Sequence, residues 1–439
     1  MKALRKTKIV ITLGPSTDDY EKLKKLLSYA NIARINMSHG EHKEHKNRLS
    51  MVRDVEEELG KPITTLADLK GPEIRTTNKE PIIVKEGQTF SIEELPVDEK
   101  AILSKLAKEG DVLLVDDGLL TFIVVVDGGE PFFFFFYQHV LKPKKSLVLR
   151  GKDFPLPSIG EEDKRNIRFI KKESFDAVAQ SFVRDAKDVS KLKKLLGEDS
   201  IVIAKIESVD AVKNLDEIIE RADGVMVARG DLALSLPEEQ VPSLQMDIIN
   251  KAKHKRKPVI VATQMLESMV NNPMPTRAEV NDVYTAVIEG ADCLMLSGET
   301  AVGNYPLNAL RVMEKTVMQA EKKLKSFEVE KKDIKDVMAK SAIKIAERYK
   351  CDIIAPTVHG TTPSKISRQR PGLSIFAITP KKRTLKYLNF FYGVVPKQGS
   401  FEPVFDNFDY LKELFAVEEA VFVFGYPPGN HRTNTIIHI

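Results

Sequence analysis

At 439 residues the chain is too long for one ordinary hydrophobic core and predicts two or three domains. Its charges nearly balance, with Lys+Arg 67 against Asp+Glu 63 for a formal net charge of +4 and no block of like charge, so no nucleic-acid footprint is expected. No apolar run approaches the roughly 18 residues of a membrane span, the run Ile9–Leu13 is too short for a signal core before it breaks at Gly14-Pro15, and Cys293 and Cys351, both inside apolar strand-like runs, predict buried thiols in a reducing cytoplasm.

Short apolar runs then recur along the chain with amphipathic stretches between them. Strands are predicted at Lys8–Thr12, Asn31–Asn36, Ile63–Ala67, Ala177–Ser181, Ile201–Ala204, Gly224–Ala228, Val259–Ala262 and Asp292–Leu296, and helices at Asp19–Ala30, His42–Leu59, Asp185–Leu196 and Ser243–Lys253. Eight strands, nearly all separated by a helix, predict a parallel sheet closed into a (β/α)8 TIM barrel, assigned to residues 1–71 and 155–330. The alternation fails once. Residues 72–154 show short strands, Gly/Pro turns and the run Phe132–Phe136, and predict an inserted small β-barrel lid on the catalytic face. The phenylalanine run reads as a strand of that domain, with the hazard of an aggregation-prone edge. Residues 331–439 form a third unit, a C-terminal α/β domain with helices at Ile334–Tyr349 and Pro363–Arg370 and strands at Cys351–Thr357, Ser374–Thr379, Ala420–Gly425 and Thr435–Ile439.

In a barrel of this kind the C-terminal strand ends carry function, and the polar residues collect there. The second strand ends in Arg34, Asn36 and Ser38, which period-two spacing puts on one face. The third ends in Asp68 and Lys70, the fifth in Lys205 and Glu207, the sixth in Arg229-Gly-Asp231, the seventh in Thr263-Gln264 and the eighth in Ser297-Gly-Glu299. Singly, these also fit bland roles: a rim ion pair for Lys205 and Glu207, a rim salt bridge for Arg34, helix N-caps for Asp68 and Asp231, a strand position for Thr263. Convergence favours function, because six accidental polar clusters at one barrel mouth are costly to bury. Glu207 and Asp231 on successive strands suit a hard divalent cation, Mg2+ or Mn2+, with Lys205, Arg34 and Arg75 as cations around it. A metal with fixed positive charges is what in-line phosphoryl transfer requires.

Seven ordered motifs carry a family resemblance: Ala33-Arg-Ile-Asn-Met-Ser-His-Gly40, Asp68-Leu-Lys-Gly-Pro-Glu-Ile-Arg75, Ala204-Lys-Ile-Glu207, Asp223-Gly-Val-Met-Val-Ala-Arg-Gly-Asp231, Ala262-Thr-Gln-Met-Leu-Glu-Ser-Met269, Pro275-Thr-Arg-Ala-Glu-Val280 and Leu296-Ser-Gly-Glu-Thr300. The sequence resembles the pyruvate kinase family over nearly its whole length. The resemblance implies transfer of the phosphoryl group of phosphoenolpyruvate to ADP, giving pyruvate and ATP, in a cytoplasmic homotetramer. It implies Mg2+ (or Mn2+) at Glu207 and Asp231, and K+ at Asn36, Ser38, Asp68 and the Leu69 carbonyl. Lys205 and Arg34 are implied at the transferring phosphoryl group, and Gly230, Asp231 and Thr263 at the substrate carboxylate. Arg75, His39 and Asn36 are implied on the nucleotide side. Glu73 is the residue type that goes with K+ dependence in the family, whereas Leu69 is the type of its other group, and Leu-Ala-Leu-Ser235 departs from the family pattern after the Arg-Gly-Asp.

Near the C-terminus, Thr357-Val-His-Gly-Thr-Thr-Pro-Ser364 reads as a loop entering a helix N-terminus, suited either to an anion or to an ordinary cap by Thr362 ahead of Pro363. The resemblance makes Thr357, Thr361, Thr362 and Ser364 candidates for an effector phosphate. Other uses of the barrel remain open from sequence: a Mg2+-dependent lyase of the phosphoenolpyruvate/pyruvate type, a Schiff-base aldolase using Lys205, or a catalytically silent metabolite sensor.

Overall fold

The computed structural model describes residues 4–328, 333–399, 408–425 and 433–439. Eight parallel strands close into a barrel in sequence order: β1 (Lys8–Thr12), β2 (Ile32–Asn36), β3 (Thr64–Asp68), β4 (Ala177–Gln180), β5 (Ile201–Ile206), β6 (Gly224–Ala228), β7 (Val259–Ala262) and β8 (Cys293–Leu296). Closure comes from β1 pairing with β8 in the register Lys8↔Cys293. The strands read as unbroken apolar runs because both their faces are buried. Val202, Ala204 and Ile206 face the surrounding helices, whereas Val10, Ile32, Leu66, Ile201, Ile203, Met226 and Ile260 fill the interior.

The C-terminal domain closes the far end of the barrel. Its five-stranded sheet runs in the order Val394–Gln398, Ile375–Thr379, Asp352–Ile354, Ala420–Phe424, Thr435–His438, with the last strand antiparallel to its neighbour. Phe390 and Tyr387 from this domain join the barrel's interior cluster, and Tyr387 donates to the carbonyl of Asp223 at 2.8 Å. With the floor sealed by these rings, the opposite mouth is where polar side chains can meet a ligand.

The lid follows β3. Its six-stranded antiparallel sheet has the order Ile74–Arg75, Ser146–Leu149, Val112–Val115, Leu120–Asp127, Glu130–Phe135, Thr89–Ser91. The phenylalanine run is therefore an inner strand, paired on both sides, and the expected exposed edge is not formed. Alternation sorts its residues: Phe133 and Phe135 are fully buried in the lid core, while Phe136 remains 41% exposed. Truncating Phe135 to Ala should destabilise the lid by about 3–5 kcal/mol and Phe136→Ala by less than about 0.5 kcal/mol; hydrogen exchange of lid amides measures the difference.

One further expectation shifts. The helix predicted to begin at Pro363 spans Thr361–Ser367 instead, because Gly360, at φ 79°, takes the left-handed conformation that starts the turn. Pro363 then sits in the first turn, where its missing N–H costs nothing.

Candidate active site

The polar mouth is a continuation of the interior strand pattern. On β5 the inward series Ile201, Ile203 is extended by Lys205 and, one step past the strand, by Glu207, so period two places both charges above the apolar layers. The same parity brings Thr12 above Val10, Arg34 above Ile32, Asp68 above Leu66 and Ser181 above Ala179. Ser181 borders a cavity of about 640 Å³ whose lining also includes Arg34, Asn36, Ser38, His39, Asp68, Leu69, Arg75, Lys205, Asp231 and Thr263. Glu207 is wholly buried behind this surface.

Lys205 is the hub. Its Nζ donates to Ser181 Oγ at 2.7 Å and lies 3.2 Å from Glu207 Oε2 and 3.5 Å from Asp68 Oδ1. Arg34 donates through Nε to Asp68 Oδ2 at 2.7 Å and through Nη1 to Thr12 Oγ1 at 3.0 Å. Burial alone would lower the Lys205 pKa, but Asp68, Glu207 and Asp231 outweigh it and move it upward. A lysine held protonated in this way is poorly suited to form a Schiff base, which needs the neutral amine. Burial would raise Asp68, yet Lys205 and Arg34 hold its carboxyl below the usual range. For Glu207 and Asp231 burial prevails over Lys205 and pushes both upward.

The cations that act most on these three carboxylates are Lys205 and Arg34, so the cluster is short of positive charge. Glu207 Oε2 and Asp68 Oδ1, both buried, accept no hydrogen bond among the described residues. Buried carboxylate oxygens that lie beside Lys205 yet accept no hydrogen bond suit a hard divalent cation, whose charge would favour their ionised form. Glu207 Oε1 is already fixed by the Phe182 N–H at 2.6 Å, which aims the second oxygen. Asp231 is not an N-cap: it lies in the first turn of the short helix Arg229–Ser235, whose cap position is Ala228. The cap alternative for Asp68 fails as well, since it ends β3 within the ion cluster.

Thr263 occupies a turn with φ 67°, an uncommon conformation for a β-branched residue. Its hydroxyl accepts from the Gly230 N–H at 2.9 Å and donates to the Ala262 carbonyl at 2.6 Å. Arg229 secures the turn, donating to the Thr263 carbonyl at 2.5 Å while paired with Asp282 at 2.7 Å. The tight turn thus brings a hydroxyl of the cavity lining beside the first turn of a helix, against the Gly230 N–H.

The lid supplies the remaining wall: Glu73, Arg75, Asp116, Asp117, Pro143, Lys144, Lys145 and Ser146. Arg75 pairs with Glu73 and donates to the Lys144 carbonyl at 2.8 Å. His39 is exposed at the rim. Asn36 Oδ1 accepts from the Ser38 N–H at 3.1 Å, and the Leu69 carbonyl accepts from Ser181 Oγ at 2.7 Å. Sequence reasoning missed Thr12, Ser181 and the lid residues after Arg75. The parity of β1 and β4 could have found the first two, and the basic stretch Lys142-Pro-Lys-Lys145 points to the lid wall.

The hydroxyl loop of the C-terminal domain lies elsewhere, and much of it is internally engaged. Thr357 Oγ1 accepts from the Gly360 N–H at 2.9 Å, Thr362 shares a hydrogen bond with Thr433 at 2.7 Å, and Ser364 donates to the Thr361 carbonyl at 2.9 Å. The N-cap alternative for Thr362 does not hold, since Gly360 occupies that position. Both cysteines are free and buried, and no helix among the described residues is long and apolar enough to cross a membrane.

Comparison with known proteins agrees with this geometry. The pyruvate kinase barrel domain matches residues 4–310 and the pyruvate kinase alpha/beta domain matches residues 336–437. A pyruvate kinase of Thermotoga maritima is 38% identical over 412 residues, covering 90% of this chain and 88% of the relative. One from Geobacillus stearothermophilus is 40% identical over 421 residues, covering 90% of this chain and 72% of the relative. One from Methylorubrum extorquens is 36% identical over 439 residues, covering 95% and 92%. With both family domains matched in order along the chain and the ion cluster at the mouth of a closed barrel, this protein belongs to the pyruvate kinase family.

Proposed function

We propose that the chain transfers the phosphoryl group of phosphoenolpyruvate to ADP, forming pyruvate and ATP. The observation that carries the reading is Lys205, held protonated between Ser181, Asp68 and Glu207 at the floor of the cavity. There its charge, with that of Arg34, meets the negative charge that spreads over a moving phosphoryl group and then remains on the enolate oxygen. Glu207 and Asp231 would hold Mg2+ or Mn2+, which when bound supplies Lewis-acid stabilisation of phosphoryl and enolate oxygens. The substrate carboxylate is assigned to the N–H groups of Gly230 and Asp231 and to the Thr263 hydroxyl, replacing the Gly230–Thr263 bond seen here. Arg75, His39 and Asn36 are assigned to the nucleotide side, under a lid taken as residues 72–154. A coupled assay of ATP formation from phosphoenolpyruvate and ADP, with and without Mg2+, tests the whole reading. No ATP formation, or full activity without a divalent cation, overturns it.

The monovalent site is assigned to Asn36, Ser38, Asp68 and the Leu69 carbonyl. Because Leu69 contributes only its backbone oxygen, its side chain matters less than the absence of a built-in cation at Glu73. Activity is expected to fall to a small fraction when K+ is replaced by tetramethylammonium; full activity there would refute the assignment.

For regulation we assign a phosphorylated effector, a sugar phosphate or nucleoside monophosphate, to the loop of Thr357, Thr361, Thr362 and Ser364 of a homotetramer. The residue pattern supports it, although three of the four hydroxyls must exchange internal partners to bind. Such an effector acts only by favouring the active arrangement over the inactive one. It should lower the apparent phosphoenolpyruvate constant, and the triple variant Thr361→Ala/Thr362→Ala/Ser364→Ala should lose the response with basal turnover intact. A panel of such phosphates that shifts neither kinetics nor melting temperature excludes it.

A further inference from the structure

Away from the barrel mouth, three side chains of unlike chemistry meet at one corner of the C-terminal sheet. Cys351 follows the helix Ile334–Tyr349, Glu419 precedes the strand Ala420–Phe424, and His438 ends the strand Thr435–His438. The backbone fixes their meeting. Asp352 and Ala420, the residues after Cys351 and Glu419, are register partners in a parallel pair. His438 pairs with Val421 across the antiparallel ladder, and Ala420 and Ile439 exchange backbone hydrogen bonds at 2.9 and 3.2 Å.

We propose that Cys351, Glu419 and His438 form a zinc site with three protein ligands and a fourth position open to water. Their ligand atoms all lie within 4.8 Å of one another. Tetrahedral zinc, with bonds of about 2.3 Å to sulfur and about 2.0–2.2 Å to nitrogen or oxygen, sets its ligand atoms roughly 3.3–3.8 Å apart, so side-chain rotation suffices to close the site. One thiolate, one carboxylate and one neutral imidazole balance a 2+ charge. Sulfur and imidazole select zinc over Mg2+, which prefers oxygen donors, so the ion proposed for the barrel does not compete here.

Two surrounding contacts prepare the ligands. The His438 ring lies against Tyr349, with centroids 4.2 Å apart and planes at 32°, which limits its rotation. Its Nε2 lies 2.6 Å from Glu419 Oε1, a pairing that the metal must open. An ordinary histidine–glutamate pair beside an inert thiol is the competing account, and it predicts no metal.

The test uses the full chain stripped of metal, with Mg2+ in large excess, titrated with Co2+. A thiolate-to-cobalt charge-transfer band should grow to saturation at one equivalent, vanish on adding Zn2+, persist in Cys293→Ala and be absent in Cys351→Ser. Oxygen ligands at the barrel mouth cannot give this band. Equilibrium dialysis should show zinc binding weakened about tenfold or more in His438→Gln, with Mg2+-supported turnover unchanged in both His438→Gln and Cys351→Ser. Absence of the band in the unmodified chain, its survival in Cys351→Ser, or zinc affinity indifferent to His438→Gln overturns the site.

Discussion

Lys205→Met is expected to lower ATP formation from phosphoenolpyruvate and ADP by roughly a thousandfold or more, the upper end of what loss of one preorganised donor to a developing oxyanion costs. The case rests on how the ammonium is held. Ser181 and two carboxylates fix it at 2.7, 3.2 and 3.5 Å, so it needs no reorganisation when charge develops beside it. Exchange of pyruvate methyl protons should survive in part, because that step needs an oriented carboxylate and a proton path rather than charge at a phosphoryl group. Thr263→Ala, which removes the hydroxyl that meets the Gly230 N–H, should slow both reactions. Lys205→Met also takes from Asp68 and Glu207 the ammonium that pairs with both, leaving Arg34 beside Asp68. Breaking a buried pair costs about 3–5 kcal/mol, and Mg2+ should restore part of it, raising the melting temperature more in Lys205→Met than in the parent. Phosphoryl transfer equal to that of the parent would remove Lys205 from the chemistry.

The barrel was legible because each strand is buried on both faces, which leaves a dense apolar run that composition alone reveals. Predicted and observed bounds coincide for Lys8–Thr12, Gly224–Ala228 and Val259–Ala262. The end of β5 was less legible: the strand runs on to Ile206, because Lys205 still alternates inward although it breaks the apolar run. Glu207 and Asp231 could be paired from sequence only by assuming the barrel. Ser181 and Thr12, by contrast, are ordinary strand residues whose partners lie 24 and 22 positions away in the chain. Only the inward parity of their strands marks them, and that parity carries meaning only once the barrel is assumed. In the C-terminal domain the strand Val394–Gln398 escaped notice because Pro396 lies within it, tolerated there because the strand is at the sheet edge. The phenylalanine run shows a different limit: alternation tells which rings are buried, but whether a strand is inner or edge depends on partners far along the chain.

Replacing residues 73–152 by a short Gly/Ser linker should leave a barrel that melts cooperatively and makes almost no ATP. The lid has a hydrophobic core almost entirely its own, from Ile74 and Val84 through Phe133 and Phe135 to Leu149 with Leu156 from beyond it, so its removal does not open the barrel core. Keeping Asp153 matters, because it accepts from the N–H groups of Val209 and Asp210 at 3.2 and 2.7 Å and so caps the turn after Glu207. The junction is a tight turn. Gly71 has φ 76°, and a Cβ there would come within 2.8 Å of Phe182 and Ser181, so only glycine lets the chain leave the barrel at this point. What the deletion removes is a wall of charges over the cavity that Lys205 lines, Arg75, Lys144 and Lys145 among them. Two unit charges 4 Å apart interact by about 4 kcal/mol at an effective dielectric of about 20 and by about 1 kcal/mol in bulk water. A charged contact that lid closure kept dry would therefore be worth about 3 kcal/mol, or roughly a hundredfold in rate. Loss of even one such contact, with loss of the nucleotide positioning proposed for Arg75, should take turnover down by more than that factor. Near-normal turnover in a folded deletion variant would mean that the chemistry is completed by the barrel alone.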